Sequence, residues 1–196
     1  MRPIAVPDPS LIVLVGAAGA GKSTFAARHF GTSEVLSSDA FRGILSGDEA
    51  DQRATRAAFA ILHREVTARL AAGRLVVVDA TNVERHARRT LLGRARAAGR
   101  PAIAIVLALP EAVVRARNSA RPGRVVDADV VAAHLERLAA AEAEEATADG
   151  GLFAGEGFAA VHVLRSAAEV ASVAIERRST APGSAAPGDP TPPSPT

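Results

Sequence analysis

The chain is 196 residues long and 48% hydrophobic, with no Cys, Trp or Tyr, and its 23 basic residues are 22 Arg and a single Lys, Lys22. That length suits one domain with a buried core, and the missing cysteines exclude disulfides, thiolate catalysis and Cys-ligated zinc. Basic and acidic residues nearly balance, 23 against 21, so the pI near 10.2 reflects the scarcity of groups titrating between neutral pH and the Arg range, not a polybasic surface.

Residues 1–9 hold three prolines and read as an N-terminal extension. Leu11–Val15 (LIVLV) is a buried strand, and Ser23–Phe30 begins a helix. Glu34–Ser37 is a short second strand. Phe59, Leu62, Val66 and Leu70 follow helical spacing until Gly73. Leu75–Asp79 is a third strand, residues 83–98 a helix, and Ala102–Leu109 a fourth strand. Glu111–Ala120 is a short helix and Asp127–Ala148 a long one. Ala159–Leu164 is a fifth strand and Ala167–Glu176 a last helix. The Pro-rich segment 177–196 is too poor in apolar residues to fold and reads as disordered. The predicted folded unit is 10–176. Strands apolar throughout and alternating with helices predict an α/β fold, a five-stranded parallel sheet with helices on both faces. Its ligands belong beyond the carboxyl ends of the strands. The apolar runs, such as Pro101–Pro110, fall far short of the ~20 residues a membrane span needs. No membrane partner and a cytoplasmic location are expected.

Gly16-Ala-Ala-Gly19-Ala20-Gly21-Lys22-Ser23 fits G-x-x-x-x-G-K-[ST] between a strand and a helix. In that context the loop amides and the helix start, with Thr24 just inside it, converge on phosphate. Lys22 would reach the β- and γ-phosphates of ATP, and Ser23 would hold Mg²⁺. The bland alternative is a strand–helix turn that binds nothing. A guanine-reading N-K-x-D motif is impossible, because the only lysine is already used.

Asp39 ends the run Ser37-Ser38-Asp39, 17 residues after Lys22, and Arg42 follows one helical turn later. A carboxylate there can accept a hydroxyl proton from an acceptor, and Arg42 can clamp an anionic group. The alternative is that Asp39 only caps a helix. Asp79 ends the third strand in Asp79-Ala80-Thr81-Asn82. It can hold a water on Mg²⁺ or orient an arginine, and Thr81 or Asn82 can cap the helix that follows. Arg115, Arg117, Arg121 and Arg124 cluster around Pro122-Gly123. They form either a segment closing over transferring phosphate or a solvated basic face. The five histidines show no metal-ligand spacing, and Glu142, Glu144 and Glu145 read as an exposed helix face.

The stretch from Leu14 to Arg53, with LAAGRLVVVDATNV (70–83), RPAIAIVLALPE (100–111), RNSARPGR (117–124) and EGFAAVHVLRSAAEV (156–170), resembles the kinase domain of bacterial polynucleotide kinase-phosphatases, enzymes of RNA end repair. The resemblance covers nearly all of 10–176. It implies a P-loop, nucleotide-kinase-like fold with an arginine lid and transfer of the γ-phosphate of ATP to 5′-hydroxyl ends of RNA or DNA. In that family the lid presents two arginines spaced by four, which Arg117 and Arg121 match, with Arg124 a weaker candidate. It also implies Gln52 and Arg53 as acceptor contacts, although a solvated loop is the simpler reading there. The partner expected is a 5′-OH nucleic acid end, and a homodimer stays open. The phosphatase and adenylyltransferase modules of that family do not follow the kinase here, so neither activity is expected of this chain. Two rival readings remain. One is a small-molecule or antibiotic kinase, favoured by the lack of aromatic stacking platforms. The other is a nucleotide-binding module that transfers nothing, against which Asp39 and the lid arginines argue.

Overall fold

A computed structural model describes residues 2–46, 55–121, 125–146, 152–153 and 155–179. In chain order the elements are β1 (Arg2–Asp8), β2 (Leu11–Val15), α1 (Lys22–His29), β3 (Val35–Ser37), α2 (Ser38–Ser46), α3 (Thr55–Ala71), β4 (Val76–Asp79), α4 (Arg85–Ala97), β5 (Ala102–Leu107), α5 (Glu111–Ser119), α6 (Ala128–Ala146), β6 (Ala160–Leu164), α7 (Ala167–Ser172) and β7 (Val173–Ser179). Five strands form one parallel sheet in the order β3-β4-β2-β5-β6. The expected parallel α/β sheet is therefore present.

Every residue of β2 is buried, because each face of the sheet has its own cover. Side chains alternate along a strand, and the core divides accordingly. Ile12, Leu14, Ile103 and Ile105 pack with Phe25 of α1 and Val114 of α5. Leu11, Val13, Val15, Ala104 and Val106 pack with Leu62 and Val66 of α3 and Leu91 and Leu92 of α4. Strands buried on both faces have no polar alternation, which is why they read as unbroken apolar runs.

The two ends of the fold differ from the expectation. Residues 2–8, read as an extension, form β1, and residues 173–179, divided between a helix and a disordered tail, form β7. The two pair in parallel from Arg2↔Val173 to Asp8↔Ser179 as a separate two-stranded ribbon. The last helix stops at Ser172, where Val173 turns extended. The ribbon forms because Ile4 and Val6 are fully buried, joining Val173 in the α1-side core. Prolines at 3 and 7 are tolerated because both strands of a two-stranded ribbon are edges. The ribbon is also latched by charge. Arg177 donates to both carboxylate oxygens of Glu34 at 2.7 Å, Gly31 N donates to Glu34 Oε2 at 2.8 Å, and Asp8 lies 3.5 Å from Arg177. The rest of the tail, 180–196, lies outside the described residues. No helix among the described residues is long and apolar enough to cross a membrane.

Ile4→Ala should cost about 2–4 kcal/mol of unfolding free energy in a denaturant titration, the penalty for truncating a buried aliphatic side chain; a surface extension would cost almost nothing. The bond from Arg177 is the main cause holding the Glu34 carboxyl below its ordinary value. Its stabilisation is therefore present above the unfolded-state value and lost as pH falls through the folded-state one. Melting temperatures of wild type and Glu34→Gln should differ near neutral pH and converge as pH falls below about 4, the unperturbed range of Glu.

Candidate functional site

The carboxyl end of the sheet is where β2 stops and the glycine-rich loop begins. Gly16 and Gly19 take positive φ, at 152° and 89°. A Cβ on Gly19 would stand 2.6 Å from the carbonyl oxygen of Val114, and one on Gly16 would stand 2.9 Å from that of Leu107. The loop thus lies directly on β5 and α5, and only glycine permits both the approach and the backbone turn. On its other side Gly16 N donates to Thr81 O at 3.0 Å, and Asn82 Nδ2 donates to Leu14 O at 2.8 Å.

Lys22 opens α1 and is 8% exposed. Its Nζ donates to the carbonyls of Gly16 and Ala17, both at 2.9 Å. Burial lowers its pKa to about 8. The charges of Asp79 and Asp39 act in the opposite direction, and that of Arg121 adds to the lowering. Four residues distant in sequence therefore share one electrostatic neighbourhood.

A cavity of about 490 Å³ opens over the loop. Gly19, Ala20, Gly21, Lys22, Ser23 and Thr24 form its floor, and Arg117 and Arg121 line it as well. Gly16 lies behind the floor, at the root of the loop. Arg117 Nη1 reaches Ala20 O at 3.5 Å. Arg121 sits beyond the end of α5, its amide still bonded to Asn118 O at 3.3 Å. The two arginines thus meet the same space although only Arg117 is on the helix. Arg115 does not join them; it bonds Glu111 at 2.6 Å and lines a different cavity, against α6. Arg124 and Pro122-Gly123 lie outside the described residues, as do Gln52 and Arg53. Asn118, buried, donates to Val126 O at 2.7 Å and accepts from Val126 N at 3.1 Å, pinning the two ends of the arginine segment together. Sequence patterning does not single Asn118 out, since an isolated Asn near a helix end reads as a cap.

Asp39 lies in the first turn of α2 and is ion-paired with Arg42. Asp39 is the second residue of α2, and the Ser37 hydroxyl before it stands 3.4 Å from Ala40 N. Asp79 is 6% exposed at the end of β4, in register with Leu14 and with Ser37. Thr81 and Asn82 do not cap α4. Its capping position is Glu84, which makes no side-chain cap bond, and the amide of Asn82 serves the β2 carbonyl instead. Glu142, read as part of a solvated face, bonds Arg165 at 3.0 Å; the side chains of Glu144 and Glu145 lie outside the described ones.

The far wall of the cavity is α7, through Ala167, Val170 and Ala171, with Arg28 of α1 beside the floor. These residues carry no motif, and only the fold brings them to the loop. Their apolar surface gives a flat base something to rest against, while the loop amides and guanidiniums take the phosphates. The residues also suit Mg²⁺. Ser23 lines the cavity, the charge of Asp79 reaches Lys22 on its floor, and no cluster of three or more His, Asp or Glu among the described residues forms an all-protein metal cage. Mg²⁺ takes few protein oxygens and completes its shell from nucleotide and water.

A family model described as an AAA domain matches residues 11–144. Among curated proteins there is no match. The Pnkp1/Rnl/Hen1 RNA repair complex superposes with a TM-score of 0.60 at 22% identity, covering 71% of this chain and 47% of that one. A sugar kinase from Janibacter sp. HTCC2649 superposes at 0.51 with 22% identity, covering 80% and 85%. A gluconokinase from Sinorhizobium meliloti 1021 superposes at 0.50 with 19% identity, covering 85% and 87%. The fold is that of P-loop kinases.

Because Lys22 is the single lysine and is held near pKa 8, its acylation by an amine-selective reagent should rise through pH 8 instead of above 10. Peptide mass spectrometry separates it from the terminal amine. Mg·ATP should protect it; full labelling at saturating nucleotide would remove Lys22 from the phosphate site.

Proposed function

The chain belongs to the AAA domain family, and from that premise we propose that it is a kinase transferring the γ-phosphoryl group of ATP to the 5′-hydroxyl end of RNA or DNA. One observation carries this reading: Asp39 and Asp79 on one side and Arg121 on the other all act on Lys22. A carboxylate base, a phosphate-binding cation and a lid cation in a common field are what transfer to an alcohol requires.

Lys22 exchanges its loop carbonyls for the β- and γ-phosphate oxygens, beside the amides of Gly19 to Thr24. Ser23 and Asp79 would hold Mg²⁺, which neutralises charge on the transferring group. Asp39 accepts the proton of the attacking 5′-hydroxyl. Arg42, already bonded to Asp39, aims that carboxylate and brings a guanidinium charge to the acceptor's adjacent phosphate. Arg117 and Arg121 close on the γ-phosphate, where charge spreads over the equatorial oxygens. The reaction is positioning and charge neutralisation with no covalent enzyme intermediate.

A second acceptor class is favoured by one comparison. The sugar kinase and the gluconokinase match this chain over most of their own lengths, whereas the repair-complex chain is matched over 47%. Transfer from γ-labelled ATP, offered a 5′-OH oligonucleotide and a panel of sugars and sugar acids, separates the two. Label in the oligonucleotide supports the proposal; label only in a small molecule overturns it. Asp39→Ala should lower kcat at least 100-fold, as expected for a lost general base, with ATP affinity little changed. Loss of ATP binding in that variant would assign Asp39 to the nucleotide instead.

A further inference from the structure

Away from the loop, the outer face of α4 and residues Gly155 and Glu156 line a second cleft of about 790 Å³. Its cations are Arg85, Arg89 and Arg96, all exposed. At 100° per residue, positions 85, 89 and 96 fall within about 40° of one another around the helix, so the three guanidiniums form one stripe. Along the axis they are separated by about 6 Å and then about 10 Å. Leu91 and Ala95, turned away from the stripe on the same helix, are in the core, and Leu92 forms the apolar floor between the exposed arginines.

The stripe is not balanced by the carboxylate in the cleft. Glu156 is bonded through both oxygens to the buried Arg88, at 2.6 and 2.9 Å, and Arg85 approaches it only to 3.9 Å. No ion pair of Arg89 or Arg96 is present among the described residues. A structural role would place a carboxylate one turn away from each cation, yet α4 contains no acidic residue at all.

We propose that this cleft binds the phosphodiester backbone of a nucleic acid strand. The length of the stripe, about 16 Å by helix rise, exceeds what a single phosphate or a pyrophosphate can bridge and calls for a linear polyanion. Guanidinium forks match phosphate oxygens, and with His86 the one aromatic ring among the described lining residues the contacts are chiefly to the backbone, so RNA and DNA bind alike. The first cation of the stripe lies a short length of chain from the phosphate loop. Thr81 O accepts from Gly16 N, and Arg85 follows Thr81 by four residues, which places it within about 14 Å along the chain. The inference deepens the polynucleotide reading and rests on it for the identity of the strand: the 5′ end reacts at Asp39, and the strand beyond it runs onto α4.

The test uses the full chain, the triple variant Arg85→Gln/Arg89→Gln/Arg96→Gln, and Gly93→Glu. Gly93 is exposed on the same face, and a Cβ added there meets nothing within 4 Å, so a carboxylate enters the stripe without a clash. Binding of a fluorescent 5′-OH single strand of about sixteen nucleotides is followed by anisotropy across a salt series. The triple variant should bind at least tenfold more weakly, with a log–log salt slope shallower by about 2, as three lost contacts to a single strand require. Gly93→Glu should also weaken binding, with an unchanged or raised melting temperature. Unchanged affinity in both variants would overturn the proposal. So would equal binding of a polyglutamate chain of similar length by wild type. In kinase assays the variants should raise KM for the long strand and leave kinetics on a trinucleotide as in wild type. If no oligonucleotide is phosphorylated but strand binding still falls in the variants, the acceptor reading fails and the cleft stands. Phosphorylation with unaltered strand binding would instead remove the cleft and leave the acceptor reading in place.

Discussion

The guanidinium of Arg88 holds the phosphate site to the rest of the molecule. It is 2% exposed and lies over the ring of Phe153, 3.7 Å from its centroid. It bonds both oxygens of Glu156 and the carbonyls of Asn82 and Val83, the latter two at 3.1 and 2.6 Å. Asn82 in turn bonds Leu14 O, and the neighbouring Thr81 O receives Gly16 N. A continuous path of buried hydrogen bonds thus runs from the segment before β6, through α4, to the first residue of the loop. A buried cation persists only when its partners are complete, so each link depends on the others. The loop's shape is a property of this network as much as of its glycines.

A division of labour follows from the same geometry. On the proposed reading the nucleotide is held by the loop, α5, the residues just past it and α7, all gathered on the cavity. The acceptor is held by α2 and the end of β4, which joins the loop through the bond from Gly16 N to Thr81 O and acts with α2 on the charge of Lys22. Asn118 ties the end of α5 to Val126 through both atoms of its side-chain amide.

The sheet and the loop were legible because their signals are local. LIVLV followed by a glycine-rich turn and a lysine carries its own context, and burial on both faces leaves a run of uniformly apolar letters. The spacing of Asp39 and Arg42 was legible for the same reason, although not that the two side chains bond each other. What stayed hidden depends on distant partners. Ile4 and Val6 alternate as a strand should, but the prolines around them read as breakers until β7 arrives from the other end of the chain. Asn82 reads as a cap because nothing in its neighbourhood shows that its amide faces β2. Arg88 is one of 22 arginines, and only its burial distinguishes it. Ala167, Val170 and Ala171 have no chemistry to announce them.

The parallel ribbon also sets the order in which the protein can be finished. Arg2 and its neighbours are synthesised before their partners from Val173 onward, which come 171 residues later. Until then Ile4 and Val6 have no ribbon to join, and closure of so long a loop comes late because its entropy must be met before any contact forms. A chain cut short before Val173 carries its phosphate loop and both candidate carboxylates, yet leaves an unpaired apolar strand in solvent, the kind of edge that chaperones and proteases recognise. Pairing β1 with β7 thus makes full burial of Ile4 and Val6 conditional on synthesis through β7.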